Sequence, residues 1–188
     1  IDQDIVDALA AKGIVDAFPI QEQTIPLGLP GQDIIGQAKT GTGKTFGFGI
    51  PVVQRLGKDP EPGVKALIVV PTRELAQQVA EDLRTASTKR NLSIITIYGG
   101  KDFDPQIAAL KSGVDVVVAC PGRLEDLMGQ GFCNLEDVEV CVLDEADHMA
   151  DMGFLPGVKR ILSKVPSDAQ HLLFSATLDN GIDVLVKK

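Results

Sequence analysis

The sequence is short of cysteines and of long hydrophobic runs, and it contains no tryptophan. Its three cysteines, Cys120, Cys133 and Cys141, are an odd number without C-x-x-C spacing, which argues against a secreted disulfide framework and a zinc knuckle. The longest apolar stretches, at 66–70 and 138–143, fall far short of the roughly 20 residues that span a bilayer. The first residues show no basic segment leading into an apolar run. We therefore expect a reducing, cytoplasmic setting without a membrane partner.

Basic residues are scarce relative to acidic ones. The chain has 18 Lys and Arg against 26 Asp and Glu, a formal net charge of -8. This balance repels a polyanion and excludes a general nucleic-acid patch, so any nucleic acid must be held by local contacts. The 188 residues contain no linker, internal repeat or low-complexity tract, and we expect one monomeric domain over residues 1–188.

Short β-branched apolar runs alternate with longer amphipathic segments, as in α/β proteins. The pattern predicts strands at 33–36, 66–70, 94–98, 114–119, 138–143 and 171–175. It predicts helices at 4–12, 44–56, 73–90, 105–112, 122–128 and 155–164. Several strands are apolar at consecutive positions, which is typical of strands covered on both faces. We expect a mostly parallel sheet with helices on both faces.

A glycine-rich segment follows the first strand and precedes a helix: Ala38, Lys39, Thr40, Gly41, Thr42, Gly43, Lys44 and Thr45. It predicts a phosphate-binding loop in which Lys44 reaches the β- and γ-phosphates and Thr45 ligates Mg²⁺. Ala38 stands where the general pattern has its first Gly, so an ordinary Gly-rich turn is the alternative. A dinucleotide fingerprint is disfavoured because Phe46 replaces its third Gly.

A second signal is the apolar run 140–143, which leads directly into Asp144, Glu145, Ala146 and Asp147. A buried strand that delivers a carboxylate to its C-terminal end suits a nucleoside triphosphatase, where that Asp holds Mg²⁺. We assign this role to Asp144. Glu145 is then the candidate to orient and deprotonate the attacking water. The alternative is an acidic helix start that favours the N-terminal dipole.

Together these two motifs resemble those of DEAD-box RNA helicases, and five further segments agree in the family's order. They are Phe18-Pro-Ile-Gln21, Pro71-Thr-Arg-Glu-Leu-Ala76, Gly99-Gly100, Pro121-Gly-Arg123 and Ser175-Ala-Thr177. The resemblance implies a RecA-like P-loop NTPase fold, with ATP and Mg²⁺ as cofactors and an RNA backbone as partner. It implies that Gln21 reads adenine and that Ser175, Thr177 and Asp147 couple hydrolysis to strand separation. The RNA-binding residues it implies are Pro71, Thr72, Arg73, Gly100, Pro121, Gly122 and Arg123.

The chemistry of these side chains fits the implied roles. The amide of Gln21 has a donor and an acceptor that match the adenine N7 and N6, although a helix-surface glutamine is the alternative. Guanidinium, hydroxyl and glycine N–H groups position a sugar-phosphate backbone without reading bases. For Arg73 and Arg123 the alternative is pairing with Glu74 or Glu125 on the helix surface.

Three departures from the family's pattern bear on function. Cys120 replaces the usual Thr before Pro-Gly-Arg, which removes one hydroxyl. The adenine-stacking aromatic upstream of Gln21 has no counterpart, since Phe18 is too near. Only eleven residues follow Thr177 and no Arg follows Arg160, so we expect a first motor domain whose partner is a second RecA-like domain of a longer chain. A P-loop domain of a DNA translocase and a protein-binding module are the alternative functions.

Overall fold

A computed structural model describes residues 1–37, 43–57, 60–100, 102–178, 182 and 185. Its sheet contains the strands β1 Ile34–Gln37, β2 Ala66–Val69, β3 Ile94–Ile97, β4 Val116–Ala119, β5 Val140–Leu143 and β6 Gln170–Ser175. The strands lie in the order β1-β6-β5-β2-β4-β3, and each neighbouring pair is parallel. The predicted parallel α/β architecture is confirmed.

Helices connect the strands and cover the sheet. They are α1 Gln3–Ala10, α2 Pro19–Gly28, α3 Lys44–Leu56, α4 Arg73–Ala86, α5 Phe103–Ser112, α6 Pro121–Gly129, α7 Ala146–Asp151 and α8 Leu155–Leu162. Apolar side chains of α1, α3 and α4 form one buried cluster with one face of the sheet. Those of α6, α7 and α8 form a second cluster on the other face. No helix in the described part of the chain is long and apolar enough to cross a membrane.

Alternation along the central strands explains these two clusters. In β2, Ala66 and Ile68 join the cluster with α3 and α4, whereas Leu67 and Val69 join the one with α6 to α8. All four are fully buried, so the strand is apolar at every position, as parallel strands covered on both faces require. The continuous apolar runs were therefore a sound basis for predicting the strands.

Two helices, α2 and α7, lie outside the predicted set. The α2 segment has a proline at its first position and another, Pro26, in its interior, which lowers its intrinsic helix propensity. The α7 helix has only six residues, too few for an amphipathic period to be recognised. In addition, α4 ends at Ala86, four residues before its predicted end at Arg90.

Candidate functional site

The predicted motifs gather at one edge of the sheet. Because all strands are parallel, their carboxyl ends meet there, and ligands of open α/β sheets bind at that edge. The segment after β1 leads to Lys44, the segment after β2 to Arg73, and β5 ends immediately before Asp144. The segments after β3, β4 and β6 carry Gly100, residues 121–123 and Thr177. The topology thus brings the motifs to a common edge from every strand.

The phosphate-loop prediction is described only from Gly43 onward; Ala38, Lys39, Thr40, Gly41 and Thr42 lie outside the described residues. Gly43 has a φ of 75° at the N-terminus of α3, a conformation that favours glycine. A Cβ there would lie 2.5 Å from Phe18 Cδ2 and 2.9 Å from Gln21 Nε2. Position 43 therefore requires glycine for its backbone conformation and for its close contact with α2.

Lys44 connects the phosphate-loop helix to the acidic motif. Its side chain is almost fully buried, with Nζ 3.0 Å from Asp144 Oδ1 and 3.5 Å from Glu145 Oε2. A buried ammonium is costly without opposite charges nearby, and these two carboxylates supply them. The structure therefore brings together three residues that the sequence predicted for one site.

Asp144 is fully buried at the end of β5. Burial raises the pKa of its carboxyl group, and the Lys44 ammonium opposes that rise. Within the described part of the chain, neither oxygen accepts a hydrogen bond of regular geometry. A buried carboxylate that is balanced by an ammonium fits a cation ligand, and Thr45 lies in the same site on the first turn of α3.

The donor set suits Mg²⁺ better than a protein-enclosed metal centre. The described residues contain no group of three or more His, Cys, Asp or Glu that could hold a metal ion. Mg²⁺ is commonly bound through one or two carboxylates together with water and substrate phosphates. Asp144 and the Thr45 hydroxyl are compatible with such a site.

Glu145 has a strained backbone. Its φ of 54° and ψ of 53° place it in the left-handed region, and it is the one non-glycine residue with positive φ in the described ranges. Strain of this kind is often concentrated at functional sites. Its Oε1 lies 3.3 Å from His148 Nδ1, while Oε2 faces Lys44. The carboxylate is thus oriented by two cationic or hydrogen-bonding neighbours.

Gln21 is buried, so the helix-surface alternative is wrong. Its side chain is oriented from both ends: Nε2 donates to the Gly43 carbonyl at 2.8 Å, and Oε1 accepts from Phe18 N–H at 3.0 Å. Gln21 therefore joins the start of α2 to the start of α3. A cavity of about 260 Å³ lies at this junction. Its lining comprises Ile14, Phe18, Gln21, Gly43, Lys44, Thr45, Phe46, Leu75, Gln78, Asp82 and Glu145.

Six of these lining residues were not among the predicted site residues: Ile14, Phe18, Phe46, Leu75, Gln78 and Asp82. Gln78 and Asp82 are four residues apart in α4, so they share a helix face. That spacing is visible in the sequence, but it does not show which face turns toward the phosphate loop. Burial raises the pKa of Asp82 to about 6, with a smaller contribution from Glu81.

The first RNA-binding candidates lie between β2 and α4. Pro71 is buried, and Thr72 accepts a hydrogen bond from Leu75 N–H at 3.2 Å, capping α4. Arg73 is exposed. Its Nε lies as far as 4.0 Å from Glu74 Oε1, and its guanidinium carbon lies 5.8 Å from the Tyr98 ring centroid. Its pairing with Glu74 is therefore loose.

The glycine pair after β3 lies beside Arg73. Both glycines are exposed. Gly100 has a φ of 81°, and a Cβ there would lie 3.9 Å from Arg73 Nη1. Glycine is favoured at position 100 by its backbone conformation.

The remaining candidates begin α6. Pro121 occupies the first turn, Gly122 is exposed, and the Arg123 guanidinium lies 3.8 Å from the Phe103 ring centroid. Glu125 pairs with Arg160 at 2.7 Å, and Arg123 Nη1 donates to Gln106 Oε1 at 3.4 Å.

Cys120 precedes α6 at its N-cap. The Cys120 thiol makes no capping hydrogen bond, and burial raises its pKa to about 11. It is therefore a neutral thiol at ordinary pH, without the hydroxyl of the family's usual threonine.

Ser175 links the end of β6 to the acidic motif. It is fully buried; its Oγ accepts from Asp147 N–H at 3.2 Å and donates to the Thr177 carbonyl. All three predicted coupling residues therefore belong to one hydrogen-bonded unit. Nearby, Gln37 Nε2 donates to the Ala176 carbonyl at 3.1 Å, which joins the unit to β1.

Comparison with known proteins gives concordant matches. The family model of the DEAD/DEAH box helicase matches residues 18–184. The chain is 47% identical over 179 residues to the DEAD-box ATP-dependent RNA helicase CshA of Streptococcus pneumoniae, covering 95% of this chain and 34% of the relative. It is 46% identical over 188 residues to CshA of Bacillus subtilis, covering 100% of this chain and 38% of the relative.

Solved structures agree with the family match. A DEAD box protein from Methanococcus jannaschii superimposes with a TM-score of 0.94 at 42% identity, covering 100% of this chain and 51% of that one. An ATP-dependent RNA helicase from Sulfolobus tokodaii, described as hypothetical, gives 0.90 at 37% identity, covering 100% and 54%. The chain thus spans little more than a third of the curated relatives and about half of the solved chains. With its parallel sheet and its acidic motif at the phosphate-loop helix, the chain belongs to the DEAD/DEAH box helicase family.

Proposed function

We propose that this chain is the nucleotide-binding motor domain of an ATP-dependent RNA helicase. The observation that carries the proposal is Lys44, the last loop residue and first residue of α3, held between Asp144 and Glu145. This contact joins a phosphate-binding element to a carboxylate pair, which is the minimum required to bind and hydrolyse a nucleoside triphosphate.

Each polar group at this junction has a distinct role in the proposal. The Lys44 ammonium neutralises the β- and γ-phosphates in place of the carboxylates it now contacts. The Thr45 hydroxyl and Asp144 hold Mg²⁺, which when bound supplies positive charge to the phosphate oxygens. Glu145 orients the attacking water and accepts its proton at Oε2, while His148 orients the same carboxylate from Oε1.

The adenine end of the site is formed by α2. The bonds to Gly43 and Phe18 use one N–H and one oxygen lone pair of the Gln21 amide, so a second N–H and a second lone pair would be left to read adenine. Since Gly43 precedes Lys44, the base would then be bound next to the first turn of α3. Selection of ATP over GTP would then depend on the Gln21 donor and acceptor.

The nucleic-acid side uses different loops of the same sheet edge. Arg73 and Arg123, with Thr72 and the exposed glycines, present guanidinium and N–H groups of the kind that bind phosphates without reading bases. We propose sequence-independent binding to one side of an RNA backbone. The net charge of -8 keeps this binding local and weak.

The proposal includes a second RecA-like domain in a longer protein and a cytoplasmic setting. The chain covers 34% and 38% of two curated relatives, which are therefore two to three times its length. A second domain would close the ATP site and supply the transition-state charge that speeds phosphoryl transfer. RNA unwinding is therefore a property proposed for the whole protein.

Calorimetry on the 188-residue chain tests the nucleotide site. ATP, ADP and GTP are titrated with and without Mg²⁺ into the wild type, Lys44→Ala and the exposed-lysine control Lys159→Ala. We expect adenine nucleotides to bind the wild type and the control equally, and Lys44→Ala to lose affinity by at least about 100-fold. Unchanged binding by Lys44→Ala would overturn the site assignment.

A further inference from the structure

The segment between β3 and the first turns of α5 lies between the two candidate RNA-binding arginines. Tyr98, at the end of β3, has its ring 5.8 Å from the Arg73 guanidinium carbon. The ring centroid of Phe103, the first residue of α5, lies 3.8 Å from the Arg123 guanidinium carbon. Arg73 and Arg123 lie on helices that follow different strands. Each guanidinium nevertheless contacts an aromatic ring of the same short segment.

Gln106 connects the parts of this segment. Its side chain is only 8% exposed, yet it lies on a helix whose other residues are half-buried or exposed. Nε2 donates to the Tyr98 carbonyl at 3.1 Å, and Oε1 accepts from Arg123 Nη1 at 3.4 Å. One amide thus bridges the residue before the glycine pair and the guanidinium at the start of α6.

The far side of Tyr98 is also anchored. Its hydroxyl accepts a hydrogen bond from Gln77 Nε2 at 2.9 Å, and Gln77 belongs to the same helix as Arg73. The contacts therefore run from α4 through Tyr98 and Gln106 to Arg123 on α6. They involve none of the residues that line the nucleotide cavity, so they can be changed without touching that site.

This arrangement suits an arginine that must meet a phosphate. A free arginine side chain has about 2 kcal/mol of rotamer entropy to lose when it binds. Stacking on Phe103 uses the face of the guanidinium, whereas phosphate is bound through the N–H groups at its edge. A hydrogen bond from Nη1 to Gln106 fixes the rotation of that edge, so part of the ordering cost is met before RNA arrives.

We propose that Gln106 and Phe103 are positioning residues for RNA, which hold Arg123 in its phosphate-binding orientation and in register with the glycine pair. The inference rests on the proposed RNA function of Arg123 and adds two residues that act through it. Neither Gln106 nor Phe103 needs to touch RNA. Their effect on binding is transmitted through the Arg123 side chain.

A double-mutant cycle tests this role. Binding of a fluorescein-labelled single-stranded oligouridine is measured by anisotropy at low salt for the wild type, Gln106→Leu, Phe103→Leu and Arg123→Met. The cycle also includes Gln106→Leu/Arg123→Met and the exposed control Gln130→Leu. We expect Gln106→Leu and Phe103→Leu to weaken binding about 3- to 10-fold. The double variant should match Arg123→Met within about twofold, because no oriented guanidinium remains for Gln106 to act on.

Salt dependence separates positioning from a general structural effect. The plot of log affinity against log salt concentration has a negative slope. Loss of one phosphate contact makes that slope shallower by about 0.7 on single strands. We expect that change in Arg123→Met and part of it in Gln106→Leu, with ADP affinity unchanged in both. Phe103→Leu keeps the question answerable if Gln106→Leu fails to fold.

The outcomes distinguish the two proposals. If Arg123→Met binds RNA as the wild type does, the proposed RNA role of Arg123 fails, and this inference fails with it. If Arg123→Met weakens binding while Gln106→Leu and Phe103→Leu do not, only the positioning role is overturned. A further loss from Gln106→Leu in the Arg123→Met background would also overturn it, because the effect would then not pass through Arg123.

Discussion

The contacts among Lys44, Asp144 and Glu145 show how the same side chains can balance buried charge in the fold and form the proposed nucleotide site. In the absence of phosphates the buried ammonium is compensated by two carboxylates, and the carboxylates are compensated by it. Burial of an unpaired charge is costly, and these opposite charges reduce that cost. Binding of a polyphosphate would replace the carboxylates as partners of Lys44 without creating an unpaired buried cation.

Glu145 provides the sharpest test of hydrolysis at the residue scale. In Glu145→Gln the side chain keeps its shape and its contact distance to Lys44 but loses its basicity. We expect ADP affinity to stay within about threefold of the wild type and the slow ATP hydrolysis rate to fall by about 100-fold or more. Calorimetry and release of labelled phosphate measure the two quantities. A parallel fall in affinity and rate would assign Glu145 to binding instead.

Asp82 predicts a pH-dependent stability difference. Its pKa is about 6 in the folded chain, against 3.8 normally. A raised folded pKa means that the folded state holds its proton more tightly, so wild-type stability falls as pH rises from about 4 to about 6. Asp82→Asn lacks this loss. We expect it to be about 1 kcal/mol more stable than the wild type above pH 6, after allowance for partial exposure.

Urea unfolding at pH 7.5 and at pH 4 measures this difference. The advantage of Asp82→Asn should shrink to a small fraction at pH 4, where the carboxyl is protonated in the folded state and roughly half protonated in the unfolded state. The exposed Asp126→Asn serves as a control for a simple change in net charge. An equal advantage for Asp82→Asn at both pH values would contradict the assignment.

At the scale of elements, one arginine of the turn after α4 adds polar contacts to the apolar packing of α1. The Arg90 side chain is buried. Nε donates to Asp4 and Nη2 donates to Asp2, each at 2.7 Å. Nη2 also donates to Asp4, and Nη1 donates to the Val53 carbonyl, each at 3.0 Å. The hydrogen bond to Asp4 is the largest cause of the raised Arg90 pKa. One guanidinium therefore joins α1 and α3 to the segment that follows α4.

Replacing this arginine should destabilise the domain. Arg90→Met fills the space of the aliphatic stem but removes one charged donor from two carboxylates and a carbonyl. We expect a loss of about 2–3 kcal/mol in the free energy of unfolding. Lys89→Met, which removes an exposed pair with Asp7 at 3.9 Å, should cost less than about 0.5 kcal/mol. Chemical denaturation of both variants gives the comparison, and similar losses would argue against the α1 anchor.

The elements also show what a sequence can and cannot predict. The strands were predictable because residues 66–69, 116–119 and 140–143 are buried at every position and therefore apolar throughout. The α2 helix was not, because its prolines mask a helix that packs against α3. The residues of the acidic motif were predictable from their place after β5. The side-chain bridge of Gln106 was not, because it depends on where Tyr98 and Arg123 meet in three dimensions.

At the scale of the whole molecule, nucleotide and RNA groups share one sheet edge but use separate loops. The nucleotide groups come from the starts of α2 and α3 and the end of β5. The candidate RNA groups follow β2, β3 and β4. Ser175, between the acidic motif and Thr177, connects β6 to the nucleotide side. The proposed roles therefore predict that this domain binds each ligand on its own, and that coupling between the ligands requires a further element in contact with both sets of loops.

Nucleotide selectivity should reflect this open arrangement. Among the described residues, the charged side chains that line the cavity are Lys44, Asp82 and Glu145. Two of these three are acidic, so they do not favour a further negative phosphate. We expect the chain to bind ADP at least as tightly as ATP in the presence of Mg²⁺. Competition calorimetry measures the ratio. A clear preference for ATP, of about tenfold or more, would show that the chain senses the γ-phosphate without a second domain.

Strand separation is the property that the single domain should lack. Its net charge of -8 and few local cationic groups predict weak RNA binding. Coupling ATP to RNA requires a closed state that both ligands favour over an open one, and a single domain has no partner against which to close. We therefore expect no ATP-dependent unwinding of a short RNA duplex by residues 1–188.

Fusion to the corresponding C-terminal part of Bacillus subtilis CshA, a relative at 46% identity, should restore both unwinding and RNA-stimulated hydrolysis. The same fusion carrying Lys44→Ala is the matched control and should remain inactive. Robust unwinding by the 188 residues alone would show that coupling resides within this domain.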